Sequence, residues 1–413
     1  MKAKSHQKFV LNAVGTKGDV LPLIAIAREL AQRGAACHVL GIQSLESAAA
    51  RAGVPYTSVA PDCIEEGKAG ELEEYSERFI KRYQPSFEPI LDFFQREVSE
   101  GQRLVVVNTK DDSASNLAAE KYALPLCRLH LTPYHLRSLI RPPWPWQGLI
   151  RGPLGKTFQR RVLPGAYARM RAHPRVLEIL NRYRGELSLL PVQTVRTPDA
   201  LIGQHLALFP AWYGEAAEDW PTSLAFAGFP LLEAAPELPT ALCDFVKSNP
   251  MPVVFTPGTG QTDVRRFFDV AGEFCELLGI PGVFLSPELG GSPRHEQILH
   301  CDYVDLGALL PRARLLVHHG GIGTTARALR AAVPQIVCPV AYDQFDNAHR
   351  VHELGAGAFL DPALFGPSTL AASARALFDD ALLPQRLRGL GNAWQDGASC
   401  AAEALLASVA VRG

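Results

Sequence analysis

Short apolar runs rich in β-branched residues alternate with helical stretches along this chain. The strands predicted in its first half are Phe9–Val14, Cys37–Ile42, Leu104–Val107 and Leu124–Leu129. Between the first two, Leu21–Arg33 has the apolar stripe of a helix that ends at Gly34. Parallel strands need a crossover long enough to hold a helix, so this alternation predicts an α/β fold with parallel sheets.

A second series of the same kind follows a proline-rich break, in which Pro230, Pro236 and Pro239 predict a linker. Its predicted strands are Val253–Thr256, Gly282–Leu285, Leu315–His318 and Gln335–Pro339, and its predicted helices are Val264–Leu278, Gly323–Ala332 and Gln344–Leu354. Because 413 residues exceed one ordinary core, we expect two doubly wound, Rossmann-like domains, residues 1–228 and 241–413, joined by a linker at 229–240. A ligand is expected in the cleft between them. The last helical stretch, Pro384–Val411, is compatible with packing on either domain, the N-terminal one included.

Composition argues against several classes of protein. The formal net charge of −1 provides no general attraction to nucleic acid or to an anionic membrane. The eight cysteines are scattered and form no Cys-x-x-Cys pair, which favours a reducing cytoplasm over a disulfide framework or a thiolate zinc site. A short polar start and the lack of an apolar run of roughly 20 residues predict neither a signal peptide nor a transmembrane helix.

The most informative segment is 315–325, a predicted strand that enters a glycine-rich turn and opens a helix. Glycines let the backbone approach a ligand closely, and the free N–H groups and positive dipole end of a helix attract anions. The groups expected at such an anion are Gly320, Gly321, Gly323, the Thr324 and Thr325 hydroxyls and the His319 imidazole. The alternative is that the glycines only serve a tight strand-to-helix turn. The combination with histidine and threonine favours a diphosphate site without a metal.

The segment Pro339–Asn347 follows the next predicted strand. Its Asp343 and Gln344 can bind vicinal hydroxyl groups, because a carboxylate accepts hydrogen bonds while an amide both accepts and donates them. The alternative is that Asp343 is the N-cap of the following helix. One βα unit after the glycine-rich turn, the pair favours a site for a sugar.

The two segments His318-His-Gly-Gly-Ile-Gly-Thr324 and Tyr342-Asp-Gln-Phe-Asp-Asn347 together resemble the donor-binding signature of nucleotide-sugar glycosyltransferases with the GT-B fold. Within that group, the chain resembles the branch of sterol glucosyltransferases, glycopeptide-antibiotic glycosyltransferases and the rhamnolipid rhamnosyltransferase. The resemblance is good from about Val253 to Leu360, moderate over the first forty residues and poor from about 60 to 230. It implies two Rossmann-like domains that face each other across a cleft.

The resemblance also implies roles for individual residues. His319 would hold the diphosphate beside Gly321, Gly323 and Thr324, and Asp343 and Gln344 would hold sugar hydroxyls. The loop Thr256-Pro-Gly-Thr259 matches the family's other phosphate-side loop through Gly258 and Thr259. Val304 lies about where many relatives have a tryptophan against the nucleobase, so the base is left open between a UDP-sugar and a dTDP-sugar, dTDP-rhamnose included.

Asp19 is the candidate catalytic base. It lies in Gly15-Thr-Lys-Gly-Asp-Val-Leu-Pro22, where many relatives have a catalytic histidine and the sterol and antibiotic branch has an aspartate. A carboxylate there could accept the proton of the acceptor hydroxyl while the nucleoside diphosphate leaves. The alternative is an N-cap for a helix that begins at Val20. Asp111 and Asp112 are rival carboxylates that look more like helix caps.

The segment 131–175 has a composition suited to an amphiphile with an anionic head or to an anionic bilayer surface. It contains nine basic residues, no Asp or Glu, and five interleaved aromatic residues, among them the candidate acceptor contacts Trp144 and Trp146. The alternative is a solvated helical face beside a proline-rich loop. Nucleic-acid binding, which such interleaving can also indicate, is disfavoured by the neutral net charge and the donor signature.

These features predict an inverting, metal-independent glycosyltransferase. Its partners would be a nucleotide-sugar and a small apolar, lipid-like acceptor, with peripheral membrane contact and without nucleic acid or cofactor. No Asp-x-Asp motif is present to bridge a metal and a diphosphate. The alternatives are transfer to a polyketide, flavonoid or other natural-product scaffold, a GT-B sugar-nucleotide epimerase, and a non-catalytic binding subunit.

Overall fold

The structure, a computed structural model, describes residues 7–62, 77, 79–111, 113–144, 146–152, 154–233, 237–258, 263–287 and 297–410. These residues form two compact units. The chain passes from unit 1 to unit 2 between Leu232 and Glu233, and it returns to unit 1 at Gln395. The first crossing lies within the proline-rich stretch.

Unit 1 contains a parallel sheet with the strand order β3-β2-β1-β4-β5-β6-β7. The strands are β1 (Lys8–Asn12), β2 (Ala36–Ile42), β3 (Tyr56–Ala60), β4 (Leu104–Asn108), β5 (Leu126–His130), β6 (Ile202–Ala207) and β7 (Leu224–Phe226). The described helices before Leu232 are α1 (Lys17–Gln32), α2 (Glu46–Arg51), α3 (Phe87–Ser99), α4 (Ala114–Lys121), α5 (Trp146–Ile150), α6 (Gly155–Thr157), α7 (Leu163–Arg171) and α8 (Pro174–Glu186). A π-helical turn, Phe158–Val162, joins α6 to α7.

Unit 2 contains a second parallel sheet, with the strand order β10-β9-β8-β11-β12-β13. The strands are β8 (Val253–Thr256), β9 (Gly282–Leu285), β10 (Ile298–Cys301), β11 (Leu315–His318), β12 (Gln335–Val337) and β13 (Gly357–Phe359). The described helices are α9 (Thr240–Ser248), α10 (Val264–Leu278), α11 (Leu306–Leu309), α12 (Ile322–Arg330), α13 (Gln344–Glu353), α14 (Pro367–Phe378) and α15 (Leu383–Asn392).

The central strands are continuous apolar runs because helices cover both of their faces. Every residue of β4 and β9 is buried. The covering helices bury one stripe each, as α10 does with Val264, Phe267, Ala271 and Phe274, which follow one another at intervals of three or four residues. The alternation expected from the sequence is therefore confirmed as an α/β fold with parallel sheets.

The end of the chain differs from the expectation of one helix over Pro384–Val411. Two helices form instead, α15 in unit 2 and α16 (Gly397–Ala410) in unit 1, where α16 packs against α1. The break lies at Trp394–Asp396, and the Asp396 carboxylate accepts a hydrogen bond from the backbone N–H of Ala398 at 3.1 Å. This hydrogen bond caps the start of α16, so the chain begins a new helix here and does not continue α15.

In each sheet the strand order reverses once, between β1 and β4 in unit 1 and between β8 and β11 in unit 2. The connections after such a pair run to opposite faces of the sheet, which opens a crevice at the carboxyl ends of the two strands. These two switch points are where ligand-binding groups are expected.

The described cysteines are all free, and Cys63 lies outside the described residues. Among the described residues, no helix is long and apolar enough to cross a membrane.

Candidate functional site

The glycine-rich turn of unit 2 connects β11 to α12 and requires a glycine at position 320. Gly320 has a φ of +92°, which disfavours residues with a side chain. A Cβ there would lie 2.7 Å from Cγ1 of Val337 and 3.0 Å from the carbonyl oxygen of Gln344. The turn thus packs tightly against the segment that carries Asp343 and Gln344.

The two adjacent histidines have different roles. His318 is fully buried: its Nδ1 accepts the backbone N–H of Gly320 at 3.1 Å, and its Nε2 lies 2.9 Å from Oε1 of Gln335. Burial lowers the pKa of His318 to about 3, so the ring is neutral at pH 7. Since Nδ1 accepts, Nε2 carries the proton and donates it to Gln335. His318 therefore holds the turn in place.

His319 lies between the loop after β8 and the loop after β11. A Cβ on Gly258 would be 2.3 Å from its Cε1, and a Cβ on Gly321 would be 2.5 Å from its Nε2. Only glycine at both positions leaves room for the ring.

The His319 ring also has an unsatisfied nitrogen. Burial lowers the pKa of His319 to about 4, against the smaller opposing effect of a hydrogen bond with the backbone of Thr256. Its Nδ1 is buried and has no hydrogen-bond partner among the described residues. A buried nitrogen of this kind costs free energy unless a ligand pairs with it. A phosphate oxygen at this place would fix which nitrogen carries the proton.

The start of α12 supplies backbone donors beside this ring. The N–H groups of Thr324 and Thr325 both bond to the carbonyl of Gly321, at 3.1 and 3.0 Å. The N–H groups of Ile322 and Gly323, the first two residues of the helix, have no acceptor within the helix and can bind an anion. The Thr324 side chain is half-buried, whereas Thr325 is fully buried. The buried Thr325 hydroxyl has no hydrogen-bond partner among the described residues, and its contact with a ligand stays a prediction.

Asp343 and Gln344 lie at the start of α13. Asp343 occupies the N-cap position, but its side chain makes no capping hydrogen bond, and one of its oxygens accepts from Nδ2 of Asn347 at 3.0 Å. The Oε1 atom of Gln344 accepts the backbone N–H groups of Val340 and Ala341, at 2.8 and 3.0 Å. With its oxygen so occupied, Gln344 can offer a sugar its amide N–H groups.

Asn347 links the two motifs. It is fully buried, and its Nδ2 donates to the carbonyl of Gly320 at 2.9 Å as well as to the Asp343 carboxylate. The glycine-rich turn and the sugar-binding candidates are thus held as one assembly. The sequence analysis quoted Asn347 within the motif but assigned it no role. Its position one helical turn after Asp343 could have indicated that the two side chains are in contact.

Val304, expected near the nucleobase, is largely buried. Only 5% of its surface is exposed, and it packs in an apolar cluster with Leu242, Val254 and Leu309. Its contact with a nucleobase stays a prediction. The neighbouring Tyr303 is 73% exposed. Thr259, the other residue expected in the phosphate-side loop, lies outside the described residues.

Asp19 lies in the first turn of α1, after β1. The helix begins at Lys17 with Thr16 as its N-cap, so the alternative of an N-cap for a helix from Val20 is wrong. One oxygen of Asp19 accepts the backbone N–H of Thr16 at 2.8 Å and its hydroxyl at 3.1 Å, which completes a capping box. The other oxygen lies 3.9 Å from Nζ of Lys110. One carboxylate oxygen is thus fixed by the helix while the other stays available for chemistry.

Lys110 comes from the loop after β4, the neighbour of β1 at the switch point. Its Nζ donates to the Tyr83 hydroxyl at 2.6 Å and to the Val14 carbonyl at 3.1 Å. A pocket at this place is lined by Asn12, Val14, Tyr83, Thr109 and Lys110, among others. The sequence analysis did not single out Lys110 or Tyr83. The position of Lys110 just after a predicted strand could have indicated that it belongs to the site.

His135 is a further group near Asp19 that the sequence analysis missed. It lies in a 3₁₀ turn, Pro133–Leu136, that follows β5, and its Nδ1 is buried without a hydrogen-bond partner among the described residues. Burial lowers the pKa of His135 to about 4, and the negative charge of Asp19 opposes this shift. The ring is therefore neutral at pH 7 and could accept a proton or a hydrogen bond from an acceptor.

The rival carboxylate Asp111 has a structural partner. Its Oδ1 lies 2.7 Å from Nη1 of Arg128, a buried residue, and the N-cap of α4 is Ser113. The expectation that Asp111 caps this helix is therefore wrong. Asp112 lies outside the described residues. Asp111 is thus engaged by Arg128, which leaves Asp19 as the candidate base.

Trp144 and Trp146 pack within their own segment. The Trp146 ring stacks on Phe158 with centroids 5.7 Å apart, and the Trp144 ring lies so close to Gly148 that a Cβ there would be 2.5 Å from it. Both rings are half-buried. Their contact with an acceptor stays a prediction.

Known proteins share both the sequence pattern and the architecture of this chain. Residues 290–390 match the erythromycin biosynthesis protein CIII-like C-terminal domain. The O-mycaminosyltylonolide 6-deoxyallosyltransferase of Streptomyces fradiae is 28% identical, over 94% of this chain and 93% of that protein. The crystal structure of the calicheamicin glycosyltransferase CalG4 matches with a TM-score of 0.69 over 99% of both chains, at 20% identity. The chain has the GT-B fold, and its sequence is similar to those of glycosyltransferases.

Another solved structure, the glycosyltransferase VinC in complex with dTDP, matches this chain with a TM-score of 0.69 at 18% identity. The match covers 98% of this chain and 100% of VinC. The two switch points belong to the two Rossmann-like units of the fold, with Asp19 in one and His319 in the other.

Proposed function

We propose that the protein transfers a sugar from a nucleoside diphosphate to a hydroxyl group of an apolar acceptor, with inversion at the anomeric carbon. The observation that carries this proposal is the buried Nδ1 of His319, which has no partner among the described residues and is held between Gly258 and Gly321 beside the start of α12. Neutral donors of this kind suit a diphosphate. Asp19 takes the proton of the acceptor hydroxyl, the hydroxyl oxygen bonds to the anomeric carbon, and the bond from that carbon to the diphosphate oxygen breaks. The nucleoside diphosphate leaves with the electron pair.

A thymidine diphosphate sugar is the favoured donor. VinC, a protein with the same fold, was crystallised with dTDP. Asp343 and the amide of Gln344, held against the glycine-rich turn, would bind hydroxyl groups of the sugar. The donor is tested by thermal unfolding with dTDP and with UDP, since a ligand that binds only the native state raises its stability, by about 2.7 kcal/mol at 100 times Kd. A larger shift with UDP would contradict the thymidine preference.

We expect EDTA to leave the transfer rate nearly unchanged. Neutral N–H donors at the start of α12 replace a cation at the diphosphate. In the described part of the chain, no three His, Cys, Asp or Glu side chains lie close enough together to hold a metal ion. The measurement is the initial rate with and without EDTA, followed by readdition of magnesium or manganese. A strict requirement for either ion would overturn metal independence.

The acceptor is proposed to be lipid-like, because the segment 131–175 combines exposed aliphatic side chains with nine basic residues and has no Asp or Glu of its own. The second candidate is a polyketide or another natural-product scaffold, favoured by the Streptomyces fradiae relative, whose name gives O-mycaminosyltylonolide as its acceptor.

A competition assay separates the two acceptor classes. One donor is offered to an equimolar panel of hydroxy-fatty-acid esters, sterols, flavonoids and macrolides, and the products are quantified by mass. We expect the hydroxy-fatty-acid esters and sterols to account for most of the product. A preference for a macrolide or a flat polyphenol would contradict the lipid-like acceptor and leave the glycosyltransferase assignment intact.

A further inference from the structure

The surface of the segment from Leu139 to Arg169, called here the basic patch, carries one sign of charge. Its exposed basic side chains are Arg141, Arg151, Lys156, Arg160, Arg161 and Arg169. No Asp or Glu occurs between residues 131 and 175, although the whole chain has a net charge of only −1. The positive charge is therefore concentrated locally and balanced elsewhere on the molecule.

Exposed aliphatic side chains are interspersed with these charges. Leu154 is 76% exposed, Leu149 54% and Val162 47%, and Leu139 and Ile140 are exposed as well. Isolated exposed leucines are ordinary, but five large aliphatic side chains and five cations within 24 residues are unusual.

The patch is the outer face of an ordered element. Leu163 and Tyr167, one helical turn apart in α7, are buried, and the Tyr167 hydroxyl bonds to the carbonyl of Ser138 at 3.3 Å. The Ser138 hydroxyl in turn donates to Asp219 at 2.6 Å. With its inward face filled in this way, the segment presents Leu154 and Val162 to the outside.

Three cations of the patch are not paired with an acid in the described part of the chain. Arg141 pairs with Glu215. Within the described residues, Lys156, Arg160 and Arg161 form no ion pair and no side-chain hydrogen bond to another residue. Three cations close together in the sequence and without a paired acid produce a positive electrostatic potential, which can attract an anionic surface.

We propose that the basic patch docks this protein onto an anionic lipid bilayer. Lipid phosphates would accept hydrogen bonds from the lysine and arginine side chains, while Leu149, Leu154 and Val162 enter the boundary of the acyl chains, which lies about 5–10 Å deep for such elements. A protein partner would require a contiguous apolar centre with aromatic anchors, whereas the exposed aliphatic residues here are separated by cations. Nucleic acid would require exposed aromatic rings, and Trp144 and Trp146 are packed internally. Docking of this kind would place the enzyme where apolar acceptors are concentrated.

Vesicle flotation tests the proposal without reference to catalysis. The full-length protein is mixed with vesicles of phosphatidylcholine alone or of phosphatidylcholine and phosphatidylglycerol in equal parts. We expect at least tenfold stronger binding to the anionic vesicles, weakened at high salt because the charges are exposed. Equal binding to both vesicles, or no binding to the anionic ones at 0.1 M salt, would overturn the proposal.

Two variants and a control assign the binding to the patch. Lys156→Glu/Arg160→Glu/Arg161→Glu should lose at least tenfold in affinity for anionic vesicles, and Leu154→Ser/Val162→Ser should lose binding while keeping its salt dependence. The charge-matched control, Arg51→Glu/Arg265→Glu/Arg388→Glu, changes exposed arginines outside the patch and should bind nearly as the wild type.

Circular dichroism and dTDP affinity establish that each variant is folded. Sedimentation velocity adds a second criterion: a dimer lost only in the patch variants would show that a second copy, not a bilayer, occupies the patch.

Discussion

The Asp19→Asn variant is expected to transfer sugar about 100- to 10,000-fold more slowly than the wild type, with nearly unchanged affinity for dTDP. The amide keeps an oxygen that can accept the N–H of Thr16, as the carboxylate does at 2.8 Å, so the start of α1 is preserved. It cannot take the proton of an acceptor hydroxyl. The measurements are the turnover number at saturating donor and acceptor, and dTDP affinity by calorimetry.

A matched control is needed because Asp19 also has a structural role. Loss of a helix cap typically costs about 0.5–2 kcal/mol, and a destabilised protein can lose activity for that reason alone. Asp396→Asn makes the same change at the carboxylate that caps α16, in the same unit but away from the β1–β4 switch point. It should keep wild-type turnover. If Asp19→Asn also keeps wild-type turnover while His135→Gln loses turnover, the base is His135 and Asp19 only stabilises the helix.

Elements with strong local patterns could be predicted from the sequence. β8, β9, β11 and α10 have the predicted bounds, because a fully buried strand or a strongly amphipathic helix is specified by its own residues. The glycine-rich turn was likewise found, since a strand, three glycines and a helix start are contiguous in the chain. The assignment of the whole to the GT-B fold came from the resemblance of two short motifs.

Features that depend on distant residues could not be predicted. Nothing local distinguishes Asp111, which pairs with Arg128 from the next strand, from an acid that caps a helix. The burial of Val304 likewise depends on α9 and β8, which lie 50 or more residues earlier. Lys110 reaches Asp19 only because β4 pairs with β1, and strand order is not readable from periodicity.

The His319→Ala variant is expected to bind dTDP at least tenfold more weakly, and the whole donor by a similar factor. A hydrogen bond to a charged group contributes about 1.5–3 kcal/mol, and each 1.4 kcal/mol corresponds to a factor of ten. Calorimetry with dTDP measures this directly. His352→Ala, which removes an exposed histidine from α13, is the matched control and should bind normally. If turnover falls while dTDP affinity is unchanged, His319 does not hold the diphosphate.

A second substitution tests whether His319 acts from its place between the two glycines. Gly258 has a φ of +76°, and a Cβ there would lie 2.3 Å from Cε1 of His319, so Gly258→Ala should displace the ring and weaken dTDP binding about as much as His319→Ala does. Two changes that remove the same contact are not additive. The double variant should therefore bind dTDP about as weakly as either single variant. Losses that add would mean that the loop after β8 and the imidazole bind the diphosphate independently.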